Sequence, residues 1–317
     1  MWRTRTWRRA PRWAAVPLGL LVVAGAWIAV NVARSQAESR VTTILAGLQH
    51  NLDQVQTLQG TVSVCPAEGD YAPEERSKPQ LFWFAMGPLG CCEEEMRPGT
   101  AVDRADGMPT VVTSFDGQSV CMWFPASNTA SIAHDLSKSE APTIVIQHFS
   151  LTDRYSPRTP PAAKEIAAAE GLRLVGEEAI GDLRCYRLEG RSHQLDCTWW
   201  IAPDRGFQVK REDSVYVPPH PTGATVRVRR SRVVEEFTKF EGGIWLPTKI
   251  RSTTTKIAAD GSETPGSERT FEVVHLTVNE GLGNETFKPR LLWSTKITEE
   301  GVPADHPLPG QFGIAKG

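Results

Sequence analysis

LRLVGEEAI (172–180), LRCYRLE (183–189), DCTWWI (196–201) and TVRVRRSRVVEEFTKF (225–240) alternate apolar with polar side chains over most of their length, and short Gly, Pro and Asp groups punctuate them. A period of two is the pattern of a strand with one face buried. Further runs of the same kind lie at 206–217, 244–255 and 268–278, with turn signals at Gly181-Asp182, Gly190, Pro203-Asp204, Gly242-Gly243 and Asp260-Gly261. Seven strands in succession joined by tight turns pair antiparallel, and a sheet that buries one face needs a cover.

Upstream, strands are expected at 61–64, 80–86, 110–115, 119–124 and 129–134, and Asp116-Gly117 is a strong hairpin signal between two of them. Val41, Ile44, Leu45, Leu48, Leu52 and Val55 recur at three- and four-residue spacing, which predicts a helix with one apolar stripe. The run 143–151 suits a short helix or a buried strand equally. Residues 162–170 are expected to form a second helix, entered through Pro160-Pro161 and closed by Gly171. The fold class expected is mainly β with a few helices. After Phe287 the chain is punctuated by proline and weakly patterned, so it is expected as a surface-wrapped tail.

The first 36 residues carry six arginines and no acid, which leaves 29 basic against 37 acidic side chains in the rest of the chain. That acidic balance argues against nucleic acid as a partner. Trp13 to Ala33 holds no charge over 21 residues. At about 1.5 Å per residue it matches the hydrocarbon core of a bilayer, so an N-terminal transmembrane helix is expected. The preceding arginines keep the amino terminus cytoplasmic, placing the protein in the inner membrane with a single pass and its C-terminal part in the periplasm. A cleaved signal peptide is the other expectation, with Ala24-Gly25-Ala26 or Ser35-Gln36-Ala37 as small-x-small sites; it would release the protein into the periplasm.

Export lets disulfides persist. Cys185 and Cys197 flank Gly190-Arg191-Ser192 symmetrically, so a hairpin turning there would set them opposite one another; two buried free thiols are the alternative. No two cysteines are spaced as C-x-x-C and the seven histidines are scattered, so neither a metal nor a cofactor is expected.

The sequence holds no grouping able to perform a reaction. Neighbouring acids such as Glu177-Glu178 and Glu235-Glu236 point to opposite sides of a strand and cannot flank one bond, and no nucleophile elbow or zinc-protease helix motif occurs. An enzyme is therefore not expected. Trp123-Phe124-Pro125, Trp200-Ile201-Ala202-Pro203 and Trp245-Leu246-Pro247 each end a strand with an indole followed by proline. These tryptophans are either core packing or the lining of an apolar cavity. The candidates for such a lining are Trp83, Trp123, Trp199, Trp245 and Phe237. Trp199 and Trp200 face opposite sides, so at most one of the two can take part. Arg227 and Arg229 share one strand face and are expected to keep an edge strand soluble, with anionic lipid or an acidic protein as the alternative contact.

In order along the chain, Thr57-Leu58-Gln59-Gly60, Ser114-Phe115-Asp116-Gly117, Cys185-Tyr186-Arg187-Leu188, Trp199-Trp200-Ile201-Ala202-Pro203, Phe240-Glu241-Gly242-Gly243-Ile244-Trp245-Leu246-Pro247 and Val278-Asn279-Glu280-Gly281-Leu282 form a series that resembles the exported lipoprotein-sorting, LolA-like superfamily. The resemblance implies an incomplete antiparallel β-barrel over residues 37–290, covered by helices. The anchor (1–36) would precede it and a tail (291–317) would follow. It implies uptake of lipid or lipoprotein acyl chains in an apolar half-barrel cavity. A second role implied by the same superfamily is a periplasmic regulatory module that binds an anti-sigma factor or another envelope protein.

Overall fold

The computed structural model describes residues 35–65, 79–88, 90–96, 109–116, 118–134, 162–192, 195–216, 227–288, 291 and 294–299. The expected anchor and the run 143–151 lie outside the described residues. Among the described residues no helix is long and apolar enough to cross a membrane.

The helix α1 is described over residues 35–53, one turn-rich step before β1 (Leu58–Cys65). Then β2 (Gln80–Gly87), β3 (Gly90–Met96), β4 (Val111–Phe115), β5 (Val120–Phe124) and β6 (Thr129–Ala133) follow as an antiparallel meander. A short helix, α2 (Ala162–Ala167), opens the second half. It leads into β7 (Glu170–Ile180), β8 (Leu183–Ser192), β9 (Leu195–Ala202), β10 (Gln208–Tyr216), β11 (Arg227–Lys239), β12 (Trp245–Ile257) and β13 (Glu263–Val278). A last strand, β14 (Lys296–Glu299), follows. The two meanders become one sheet because β13 returns beside β1, pairing Leu58 with Val278 and Cys65 with Thr270. The order is β14-β6-β5-β4-β3-β2-β1-β13-β12-β11-β10-β9-β8-β7, with β14 and β7 at its edges, so the sheet is open. Mainly β with few helices is what the alternation predicts, and an unclosed sheet is consistent with an incomplete barrel.

Two strands depart from expectation. Cys91-Cys92-Glu93-Glu94-Glu95 carries no alternation, yet forms β3. Both of its faces are covered, with Cys91 in the cluster on one side and Cys92 in that on the other, so the period-two signal has nothing to report. Gly90 permits the tight entry: at φ 152° its backbone lies so close to Phe115 O that a Cβ would sit 2.0 Å away. The second is β14, which pairs parallel with β6 from within the stretch expected to be a tail. Four residues are too few for a periodic signal.

Register also corrects the cysteines. The hairpin turns between Ser192 and Leu195, which are paired, so Cys197 faces Gly190 and not Cys185. Cys185 packs with Leu183 and Trp200, Cys197 with Trp199 and Ile201 on the opposite face, and both are free. Arg227 and Arg229 are not on an edge strand either, because β11 lies between β10 and β12. The edge is β7. Two register shifts, at Glu170/Arg173 and Leu174/Gly176, bend it and leave Val175 48% exposed. Such bulges discourage edge-to-edge pairing.

Candidate functional site

One face of the sheet, the helix face, is covered by α1. The predicted stripe is what meets it: Ile44, Leu48, Leu52 and Val55 are all buried, in one cluster with Phe82, Phe84, Met86, Leu188, Trp199, Ile201, Leu246 and Phe271. α2 adds Ala163 and Ile166 to the same cluster. The space beneath α1 is thus occupied by the helix's own side chains.

α1 is held unequally along its length. At its C-terminal end the buried Asn51 donates from Nδ2 to Trp245 O at 2.9 Å and accepts from Trp245 N–H through Oδ1 at 3.0 Å. Just beyond, Asn279 Oδ1 accepts from Gln56 N–H at 2.6 Å and Thr57 N–H at 3.3 Å, while its Nδ2 donates to Gln54 O. The N-terminal half is tied by the exposed ion pair of Arg40 with Glu177, 2.9 Å, and by the Arg40 guanidinium lying 5.8 Å from the Tyr186 ring. Exposed pairs of this kind contribute about 0–1 kcal/mol.

The helix face is not uniform. Following the register across the second half, Val234, Ile250, Phe271 and Val64 form a wholly buried apolar row. Two residues along the same strands the row reads Glu212, Arg232, Ser252 and Arg269, and the next reads Ser214, Arg230 and Thr254. Glu165 of α2 joins this polar band and accepts from Ser192 Oγ at 3.3 Å. Burial pushes the Glu212 carboxyl up, with Arg232 opposing the shift and Glu165 adding to it. Burial pulls the Arg232 guanidinium down, with Glu212 and Glu165 opposing.

The far face differs between the halves. In the first half Trp83, Ala85, Cys92, Cys121, Trp123 and Ile132 are buried under Phe287 and Leu291, so the segment after β13 lies over them. In the second half the far face is charged, and a cavity of about 490 Å³ opens in it among Arg173, Arg187, Glu189, Asp213, Arg229 and Trp200. Several of its charges are paired: Arg173–Glu189 at 2.8 Å, Arg187–Glu189 at 2.7 Å, and Asp213 with the neighbouring Arg211 at 2.7 Å. Trp200 donates from Nε1 to Glu178 at 2.9 Å, with the Arg187 and Arg211 guanidiniums 5.7 and 4.8 Å from its ring.

The sequence candidates are therefore distributed over both faces. Trp199 lies in the cluster under α1, and Phe237 packs at its margin and against Cys185 and Trp200 as well. Trp83 and Trp123 lie in the far-face cluster of the first half, and Trp123 Nε1 has no hydrogen-bond partner among the described residues. Trp245 is half-buried between Arg205, 4.6 Å from its ring, and Lys239. Sequence reasoning missed Asn51, whose clamp joins residues 194 apart. It also missed the polar band, which only register assembles.

Among the described residues no group of His, Cys, Asp or Glu could hold a metal ion. Thiol chemistry is disfavoured, since burial pushes Cys185 and Cys197 up to about 11 and Cys121 up to about 12.

No family model matches the sequence, and no curated protein matches it significantly. Solved structures do. The chain is similar in structure to a LolA superfamily protein. That protein, from Nitrosomonas europaea, shares 14% identity over 78% of this chain and 97% of its own, with a TM-score of 0.41. A conserved protein from Thermus thermophilus shares 13% identity over 81% and 98%, TM-score 0.33. A chain in the complex of Pseudomonas aeruginosa MucA and MucB shares 10% over 76% and 100%, TM-score 0.25. At these values residue roles do not transfer from one chain to the other.

Proposed function

We propose that this chain is a non-catalytic binding protein of the cell envelope that takes up the acyl chain of a lipid or lipoprotein between α1 and the helix face. Residues 13–33 would tether it to the inner membrane. The observation that carries this is the attachment of α1: Asn51 and Asn279 fix one end through buried or paired amide contacts with the backbone, while the exposed Arg40–Glu177 ion pair and an apolar contact surface hold the other. Lifting the N-terminal half would bare Leu172, Leu174, Tyr186 and Trp199 to a guest chain, and each methylene buried there contributes about 0.8 kcal/mol.

The test pins the helix. Full-length protein purified from its own membranes should carry lipid in native mass spectrometry and bind a fluorescent fatty acid. A bismaleimide cross-link with a reducible disulfide spacer between R40C and E177C should abolish probe uptake until it is reduced. Lipid-free preparations that ignore the probe, or uptake unchanged by the pinning, would overturn the proposal.

The charged cavity on the far face favours a second role, docking of an envelope polypeptide. Mixed Arg, Asp and Glu around one indole suit a charged chain and not a fatty tail. Capture of a single envelope protein, sensitive to salt and indifferent to the pinning cross-link, would support it over acyl binding.

A further inference from the structure

The surface that a lifted α1 would bare is walled on the side of β10. Across the helix face from the edge strand, one row runs Leu174, Leu188, Trp199 and then Glu212. The row beside it begins at Leu172, next to Gly190, and runs through Cys197 to Ser214. Both rows are apolar through β9 and turn polar at β10. Around Glu212 the wall is thick: Arg232 faces it from β11, and Glu165 of α2, which accepts from Ser192 Oγ, adds to the upward push that burial gives its carboxyl. Toward the clamped end of α1 the way is shut as well. The Phe207 ring lies so close to Gly47 that a Cβ there would sit 2.3 Å from its Cδ2, and a Cβ on Gly206 would sit 2.4 Å from Asn51 Oδ1. At the opposite end the chain leaving α2 crosses Gly190, where a Cβ would lie 3.0 Å from that of Ala169. Among the described residues the remaining side is β7, the edge of the open sheet.

We infer that this surface is a blind slot, entered across β7 and ended by Glu212, which sets the length of tail it takes. This rests on the acyl-binding role proposed above and names a limit on its cargo. Two strand spacings separate β7 from β9, about 10 Å, which an extended tail of about eight carbons covers. Up to that length each added methylene is buried against Leu188 and Trp199 and tightens binding about fourfold. A longer tail presses its methylenes onto Glu212 and strips water and polar neighbours from the carboxyl, which offsets the gain. Affinity therefore climbs with chain length and then levels.

The experiment uses the full chain in phosphatidylcholine nanodiscs, photolabelled with a series of saturated fatty acids from hexanoate to palmitate that carry a diazirine on the last carbon. In the unaltered protein the octanoate label should fall on β9 and β10, beside Trp199 and Glu212. Glu212→Leu carries the apolar row onto β10. It should raise labelling by palmitate about tenfold over the unaltered protein, the worth of about two methylenes, and labelling by hexanoate by less than about twofold. Taking the ratio of the two proteins at each length cancels the partition of each probe into the disc. Should the variant not fold, the label positions in the unaltered protein decide: octanoate ends on β9 and β10 support the slot, and ends that spread along β11 to β13 as the tail lengthens overturn it. A ratio that stays level from hexanoate to palmitate also overturns the length limit and leaves acyl binding standing. Absence of labelling by every probe overturns both.

Discussion

The two halves of the sheet share one covered face and differ in the other. In the first half the far face is as apolar as the helix face, and Phe287 and Leu291 shut it from water. In the second half the far face carries ion pairs within and between strands, with a cavity among them. A strand covered on both sides loses its alternation, whereas one covered on a single side displays it. That is why 172–278 was legible and β3 was not, and it makes the segment around Phe287 and Leu291 a structural part of the first half.

The contrast can be broken most severely at Phe287. Phe287→Ala opens a cavity beside Trp83 and Trp123 and should cost about 4 kcal/mol in denaturant unfolding. If the cost stays below about 1 kcal/mol, the far face of the first half is not sealed in solution. Trp200→Phe sharpens the other side. It removes the Glu178 hydrogen bond and weakens the contacts with Arg187 and Arg211, and should cost about 1–2 kcal/mol, less in high salt. A loss independent of salt would mean that the ring acts through its volume alone.

Glu189→Gln has the smallest effect and the clearest pH signature. Hydrogen bonds from Arg173 hold the Glu189 carboxyl below its usual range, with those from Arg187 adding to the effect. A depressed carboxyl contributes stability that is present above the unfolded value of about 4.3 and lost as pH falls through the folded one. The variant should therefore be less stable by about 1 kcal/mol at neutral pH and indistinguishable from the unaltered protein in strong acid. A difference that persists at low pH would place the effect in packing.

Much of the fold was legible. Alternation located every strand from β7 to β13, and the spacing of Ile44, Leu48, Leu52 and Val55 predicted both the helix and the face it buries. The site was less so. Trp83 and Trp199 look alike as aromatics in alternating runs, yet they lie on opposite faces because side-chain direction follows from how each strand is paired. Cys185 and Cys197 show the same limit: with Ser192 paired to Leu195, and not Cys185 to Cys197, the two lie on opposite sides of the sheet.

Local periodicity was enough to specify strands and a covering helix, since these depend on neighbours within a few residues. Tertiary structure alone decided that β13 closes onto β1, that Asn51 clamps Trp245, and that Glu212, Arg232 and Arg269 share a row. Those contacts join residues tens to hundreds of positions apart, and their geometry is set by register, which no single stretch of chain contains.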